Sequence, residues 1–198
     1  MLTNNFGLTD DKSLKLRSII SECYCNTEVV NSKGNPHFGF FNLKQIYSNP
    51  QSVSFVVDLL SSLIRSDAIC AVDPGIAPIV GAVSYSTSLP SVYARRSPKG
   101  YFISYGNTHE HNNKHLMGGM IHGTVTLVDD VINTGKSAAK ACEILKTSGL
   151  QVESAIFLMN AKNNDDNVTS FATEFGVETK VLVKASEVVP TWSSQKNG

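Results

Sequence analysis

The chain has 198 residues, 41% of them hydrophobic, and its 17 basic and 17 acidic side chains balance to a formal net charge of zero. That length suits one domain with a core of its own, and the charge balance excludes a global basic field that would draw nucleic acid. No long run of like charge occurs, so any anion must be held by a local site.

Residues 9–25 read as a helix, with Thr9 at its cap, Asp10 and Asp11 in its first turn, and Leu16, Ile19, Ile20 and Cys23 on one face. The N-terminal residues lack the basic start and apolar run of a signal peptide. No stretch approaches the roughly 18 apolar residues of a membrane span, so a soluble, intracellular and cytoplasmic protein is expected. Cys23 and Cys25 are spaced C-x-C, while Cys70 and Cys142 lie far apart in apolar stretches. That is a poor zinc or disulfide framework, and the latter pair reads as small core residues. "HFGFFNLKQIY" (37–47) looks extended, and residues 50–64 look helical, with Pro50 in the first turn.

A regular alternation then begins. "AICAV" (68–72) is a short buried strand; "DPG" breaks it, and 76–88 is a small-residue helix. A second strand is expected at 91–95, a third at 124–129, a helix over 134–148 stopped by Gly149, a fourth strand at 152–159, a helix in "DDNVTSFATEFG", and a fifth strand at 178–183. Strands alternating with helices predict an α/β fold, a doubly wound, mainly parallel five-stranded sheet whose ligands bind beyond the carboxyl ends of the strands. The polar segment 96–123 is longer than the roughly 12–15 residues usual for a connection, and reads either as a mobile lid or as a floppy insertion.

The stretch "VTLVDDVINTGKS" (125–137) carries the chemistry. Gly-Lys-Ser is the tail of a nucleotide-binding P-loop, but Asp130 stands where that loop needs its first glycine, with Asp129 beside it. Thr134, Gly135, Lys136 and Ser137 lie where a helix begins, so free N–H groups and the helix dipole favour a phosphate there. The two carboxylates repel phosphate and seek hydroxyls or a metal instead. A monophosphate with a vicinal diol a short distance away, as in a ribose 5-phosphate, satisfies both halves.

This stretch resembles the signature of the type I phosphoribosyltransferases, which bind 5-phosphoribosyl 1-pyrophosphate (PRPP); Thr126 and Asn133 depart mildly from it. "FGFFNLK" (38–44) is similar to a segment near the start of the orotate phosphoribosyltransferases, whose lysine, here Lys44, reaches the substrate pocket, although Gln45-Ile46 replace the usual Ser-Gly. Residues 72–100 are similar to that family's pyrophosphate loop, helix, strand and lid entrance. Arg95, Arg96 and Lys99 match the family's cations, while Tyr101 and Phe102 replace its His-Gly. After the fourth strand the family has Asp-Arg, whose arginine reads the orotate carboxylate; here Asn160-Ala161 stand there, with Lys162 next.

The resemblance implies one phosphoribosyltransferase domain over 1–198, with a small hood built largely from residues 1–50, a PRPP-binding core over 51–185 and the lid at 96–123. It implies Mg²⁺-dependent transfer of 5-phosphoribosyl to a nucleobase, orotate first. Asp129 and Asp130 would hold the diol directly and the metal mostly through water. Val131, Ile132, Asn133, Thr134, Gly135, Lys136 and Ser137 would cradle the 5-phosphate. Asp73, Pro74 and Gly75 would shape the pyrophosphate turn, Arg95, Arg96 and Lys99 would close over it, and Lys44 and Lys162 would face the base. A homodimer is implied, with no nucleic-acid or membrane partner. Transfer to another base and a non-catalytic PRPP-binding regulator stay open as alternatives, as does a phosphoryl-accepting Asp129 or Asp130. Plainer readings stand beside the single residues: Lys99 as a solvated loop lysine, Lys44 as the partner of a nearby acid, Asp73 as the start of a Pro-Gly turn. "HEHNNKH" (109–115) reads as a solvated sequence or a zinc-binding one, and His37 as a packing residue.

Overall fold

The computed structural model describes residues 9–30, 34, 36–95, 116–119 and 121–190, without the side chains of His37, Asp73 and Pro74. Helix α1 (Asp10–Glu22) buries Leu16, Ile19 and Ile20 as their spacing predicts, but the Thr9 side chain makes no capping bond. The helix also ends earlier than expected. Tyr24–Val30 forms strand β1, paired antiparallel with β2 (Pro36–Phe41), and the Tyr24 and Phe41 rings meet at 5.2 Å. Cross-strand aromatic packing of this kind outweighs a further helical turn. The stretch read as extended up to Tyr47 instead turns into a 3-10 helix, Leu43–Ser48, which buries Leu43 and Ile46. Those two residues are three apart and therefore share one face of a 3-10 turn.

Helix α2 (Pro50–Leu63) follows, capped by Asn49, whose side chain accepts from Gln51 N and Ser52 N. Strand β3 (Ala68–Val72) runs directly into α3 (Asp73–Thr87), so Asp-Pro-Gly opens the helix instead of breaking the chain. Proline fits there because first-turn N–H groups have no intrahelical partner. Next come β4 (Ser91–Ala94), β5 (Leu116–Met117), β6 (Thr124–Ile132), α4 (Lys136–Thr147), β7 (Gln151–Asn160), α5 (Asp166–Phe175), β8 (Glu178–Lys184) and α6 (Ala185–Val188).

The main sheet has six strands in the order β5-β4-β3-β6-β7-β8. The five expected strands are parallel, and β5, inside the segment read as one long lid, adds a sixth, antiparallel to β4 at the edge. One face packs α1, α2 and α3 against Ile69, Ala71, Val128, Ile156 and Leu182. The other packs α4 and α5 against Cys70, Val72, Leu127, Ala155 and Phe157. Thr126, the polar intruder in the third expected strand, is fully buried; its hydroxyl lies 2.7 Å from Ser66 Oγ and 2.9 Å from Ser154 Oγ. The chain builds β4 on one side of β3 and then crosses to build β6 on the other. The gap beyond the carboxyl ends of β3 and β6 is thus the switch point where sheets of this kind take ligands.

Candidate active site

At that switch point β6 runs three residues further than expected, so Asp129 and Asp130 lie within the strand and face opposite sides of the sheet. Asp129 is buried on the α4 side, where it lines an open cleft of about 300 Å³ with Asn133, Thr134, Gly135, Lys136, Ser137 and Phe157. Asp130 is half-buried and faces the first turn of α3: a Cβ placed on Gly75 would sit 3.3 Å from its Oδ2. Glycine at this position lets the β3–α3 turn come up against the carboxylate. Each acid also accepts from the next main-chain amide, Asp129 Oδ1 from Asp130 N at 2.9 Å and Asp130 Oδ1 from Val131 N at 2.8 Å. These bonds hold both carboxylates in set orientations.

Between β6 and α4 the chain makes a tight turn. Gly135 takes φ +77, a left-handed conformation that favours glycine, and no side chain caps α4 behind it. The first-turn amides of Lys136, Ser137 and Ala138 therefore face outward without a side-chain partner over them. Asn133, Thr134 and Lys136 are exposed, and Ser137 is half-buried. Val131 and Ile132 also line the cleft; Val131 packs, half-buried, on one core cluster and Ile132 is buried in the other.

Tyr47, not singled out from the sequence, joins the 3-10 turn to this centre. Its hydroxyl donates to the Gly75 carbonyl. Burial, then the charges of Asp130 and Asp129, push its hydroxyl up to about 12. Lys44 is exposed and, three residues earlier in the 3-10 turn, shares the face from which Tyr47 reaches Gly75. Gln45 and Ile46, where the resembled family has Ser-Gly, turn away from the cleft: Gln45 Nε2 donates to Cys25 Sγ at 3.6 Å, and Ile46 is buried.

Arg95 directly follows β4; its Nη1 lies 3.4 Å from Met117 Sδ and its side chain lies beside Ser137, Lys140 and Ala141 of α4. Arg96, Lys99, Tyr101, Phe102 and the "HEHNNKH" stretch lie outside the described residues. The backbone of Asp73 and Pro74 forms the first turn of α3 beneath Gly75. At the end of β7, Asn160 is fully buried and points into the loop that follows: its Oδ1 accepts from Lys162 N at 2.9 Å. Lys162 is half-buried, and close by Lys184 pairs with Asp165 at 2.7 Å. Among the described residues no three His, Cys, Asp or Glu side chains are grouped to hold a metal, and no helix is long and apolar enough to cross a membrane.

The architecture recurs in solved structures. Orotate phosphoribosyltransferase from Aeropyrum pernix superposes with a TM-score of 0.69 over 88% of this chain and 97% of its own, at 22% identity. The Mycobacterium tuberculosis orotate phosphoribosyltransferase in complex with PRPP gives 0.68 over 90% and 99%, at 14% identity. The fold is that of the type I phosphoribosyltransferases. No family model matches the sequence. In sequence the chain is similar to orotate phosphoribosyltransferases: that of Thermococcus gammatolerans is 26% identical over 148 residues, 71% of this chain and 74% of the relative.

Proposed function

We propose that the chain transfers 5-phosphoribosyl from PRPP to orotate, giving orotidine 5'-monophosphate and pyrophosphate in pyrimidine nucleotide synthesis. The observation that carries this reading is the placing of Asp129 and Asp130 on the strand that feeds the uncapped, glycine-led start of α4. The names of the relatives and the PRPP-bound neighbour support the substrate pair.

In the reaction the bond from the anomeric carbon to the pyrophosphate oxygen breaks, and a ring nitrogen of the base bonds to that carbon. The sugar passes through an oxocarbenium-like state, so the site must neutralise the leaving group and keep water away. Asn133–Ser137 cradle the 5-phosphate through main-chain amides and the Thr134 and Ser137 hydroxyls, with Lys136 adding charge. Val131 and Ile132 contribute main chain only. Asp129 and Asp130 accept from the ribose hydroxyls. The Asp73–Gly75 turn, held by Tyr47, receives the pyrophosphate, with Arg95, Arg96 and Lys99 as its cations.

Two carboxylates with no third ligand beside them among the described residues fit a Mg²⁺ ion that arrives with its phosphates, since this ion keeps waters and takes only one or two carboxylates from the protein. When bound, Mg²⁺ supplies charge neutralisation on the pyrophosphate and ribose oxygens. We further infer a cytoplasmic homodimer, as the family resemblance implies.

A second reading, a phosphoribosyltransferase for another base or a PRPP-binding regulator, is favoured by one observation. The position of the family's base-reading arginine holds Ala161, and the Asn160 side chain is engaged in its own loop. Lys44 and Lys162 are the cations left to meet a carboxylate. An assay of pyrophosphate release with PRPP, Mg²⁺ and each of orotate, uracil, adenine and hypoxanthine tests both readings. Release with orotate alone is expected. Release with a purine alone overturns the acceptor, and PRPP binding without release from any base overturns catalysis.

A further inference from the structure

The residues after β7 do not contact the cleft, yet their polar side chains run directly to the phosphate turn. Asn160, fully buried, donates from Nδ2 to the Asn164 carbonyl at 2.9 Å, and its Oδ1 accepts from Lys162 N at 2.9 Å and from Asn167 Nδ2 at 3.1 Å. Asn167, in the first turn of α5, also donates from Nδ2 to the Asn133 carbonyl at 2.8 Å. One residue earlier, Ala161 N donates to the Ile132 carbonyl at 2.9 Å. The first turn of α5 also lies beneath Gly135, whose absent Cβ would stand 3.9 Å from the Asn167 carbonyl. Two consecutive carbonyls at the start of the phosphate turn are therefore held from the same side by the β7–α5 unit.

A trans peptide is planar, with its C=O and N–H on opposite sides. Holding the Ile132 carbonyl toward Ala161 turns the Asn133 N–H the other way. Holding the Asn133 carbonyl toward Asn167 turns the Thr134 N–H away from α5. Both residues line the open cleft. Binding is tighter when donors are aimed before the ligand arrives, because less ordering is left to the binding step.

We propose that Asn167, locked by Asn160, is a positioning residue that aims the Asn133 and Thr134 amides at the ligand's phosphate. This rests on the phosphoribosyl reading above and deepens it. It also gives the departure at position 160 a role: the side chain there serves the phosphate end of the ligand, not the base.

The test is calorimetric titration of the full chain with ribose 5-phosphate, with steady-state kinetics and melting curves alongside. Wild-type binding comes first; its absence would overturn both the phosphoribosyl reading and this inference. Asn167→Ala, and Asn167→Ser with a hydroxyl one bond short of the amide nitrogen, are expected to raise the ribose 5-phosphate Kd and the KM for PRPP about tenfold, the effect of one well-placed hydrogen bond. At saturating PRPP, kcat should stay within about threefold, because the lost interaction is made equally in ground and transition states. Asn164→Ala, which removes only an exposed contact to Asp166 at the start of α5, should leave the Kd unchanged. Wild-type Kd in folded Asn167→Ala or Asn167→Ser sinks the inference alone. In the unaltered protein, ribose 5-phosphate should move the Asn133 and Thr134 amide resonances downfield. Bound ligand with both resonances unmoved sinks it too, whether or not the variants fold.

Discussion

Asn49 closes the N-terminus of α2 with two hydrogen bonds, to Gln51 N at 3.0 Å and Ser52 N at 3.3 Å, whereas α4 begins at Gly135 with no side chain over its amides. Both helices pack an apolar face onto the sheet, and they differ in where they start. The cap of α2 lies at the end of the 3-10 turn that carries Tyr47, and α4 starts at the switch point, after the short turn Asn133–Gly135 that follows β6. A side-chain cap contributes about 1 kcal/mol, so leaving one out is a measurable loss of stability. At α4 the same amides remain open to an anion, and the turn before them is braced from below by α5. Stability and binding thus draw on the same four orphan donors of a helix start, and this chain divides them between two helices.

The comparison predicts a graded series. The Asp129→Asn, Asp130→Asn double variant should have the largest effect, lowering kcat/KM for PRPP about 100-fold or more, since charge-assisted hydrogen bonds contribute about 1.5–3 kcal/mol each. Unchanged kinetics would separate the acids from the ligand. Gly135→Ala should weaken ribose 5-phosphate binding about tenfold, because a left-handed backbone costs an alanine about 1–2 kcal/mol and the turn must shift to relieve it. Titration calorimetry checks this, and wild-type affinity would mean that the opening of α4 is not the anion site. Tyr47→Phe removes the bond to the Gly75 carbonyl and should raise the KM for PRPP about threefold to tenfold, the effect of a hydrogen bond worth about 1 kcal/mol. Asn49→Ala should lower the melting temperature by about 4 °C through the lost cap while leaving turnover unaltered. A turnover loss there would blur the division between the two helices.

The smallest effect near neutrality is on pH. Burial pushes the thiols of Cys23, Cys70 and Cys142 from 9 to about 11, 12 and 12, and the Tyr47 hydroxyl from 10 to about 12. Above about pH 9 the folded chain keeps protons that the unfolded chain releases, so stability is full below that pH and declines as it rises toward 11–12. Urea midpoints between pH 8 and 11 should fall monotonically, and a flat profile would contradict the burial of these four groups.

The repeating strand–helix rhythm from Ala68 onward was legible because buried parallel strands are short apolar runs separated by amphipathic stretches. The acid pair and the glycine-led turn between β6 and α4 were legible for a related reason: they are local in the chain. The β1–β2 hairpin was not, because "YCNTEVV" follows a helix without a break and gains its partner only in three dimensions. Asp73–Gly75 read as a turn because Pro-Gly usually is one, yet a helix accepts proline in its first turn. Tyr47 and Asn167 escaped for the same physical reason. Each acts on a main-chain carbonyl far away in sequence, Gly75 and Asn133, and no spacing rule encodes such a bond.

The groups that form or brace the site at the switch point come from the 3-10 turn, the β3–α3 turn, β6, the start of α4 and α5, segments that span both core clusters. No isolated half of the chain contains the whole set, so ligand affinity belongs to the complete fold alone. Mass action then makes the sugar phosphate a global stabiliser: at about 100 times its Kd it should add about 2.7 kcal/mol against unfolding of the entire domain. In a cell, the supply of substrate would thereby help set how long each copy of the protein survives proteolysis.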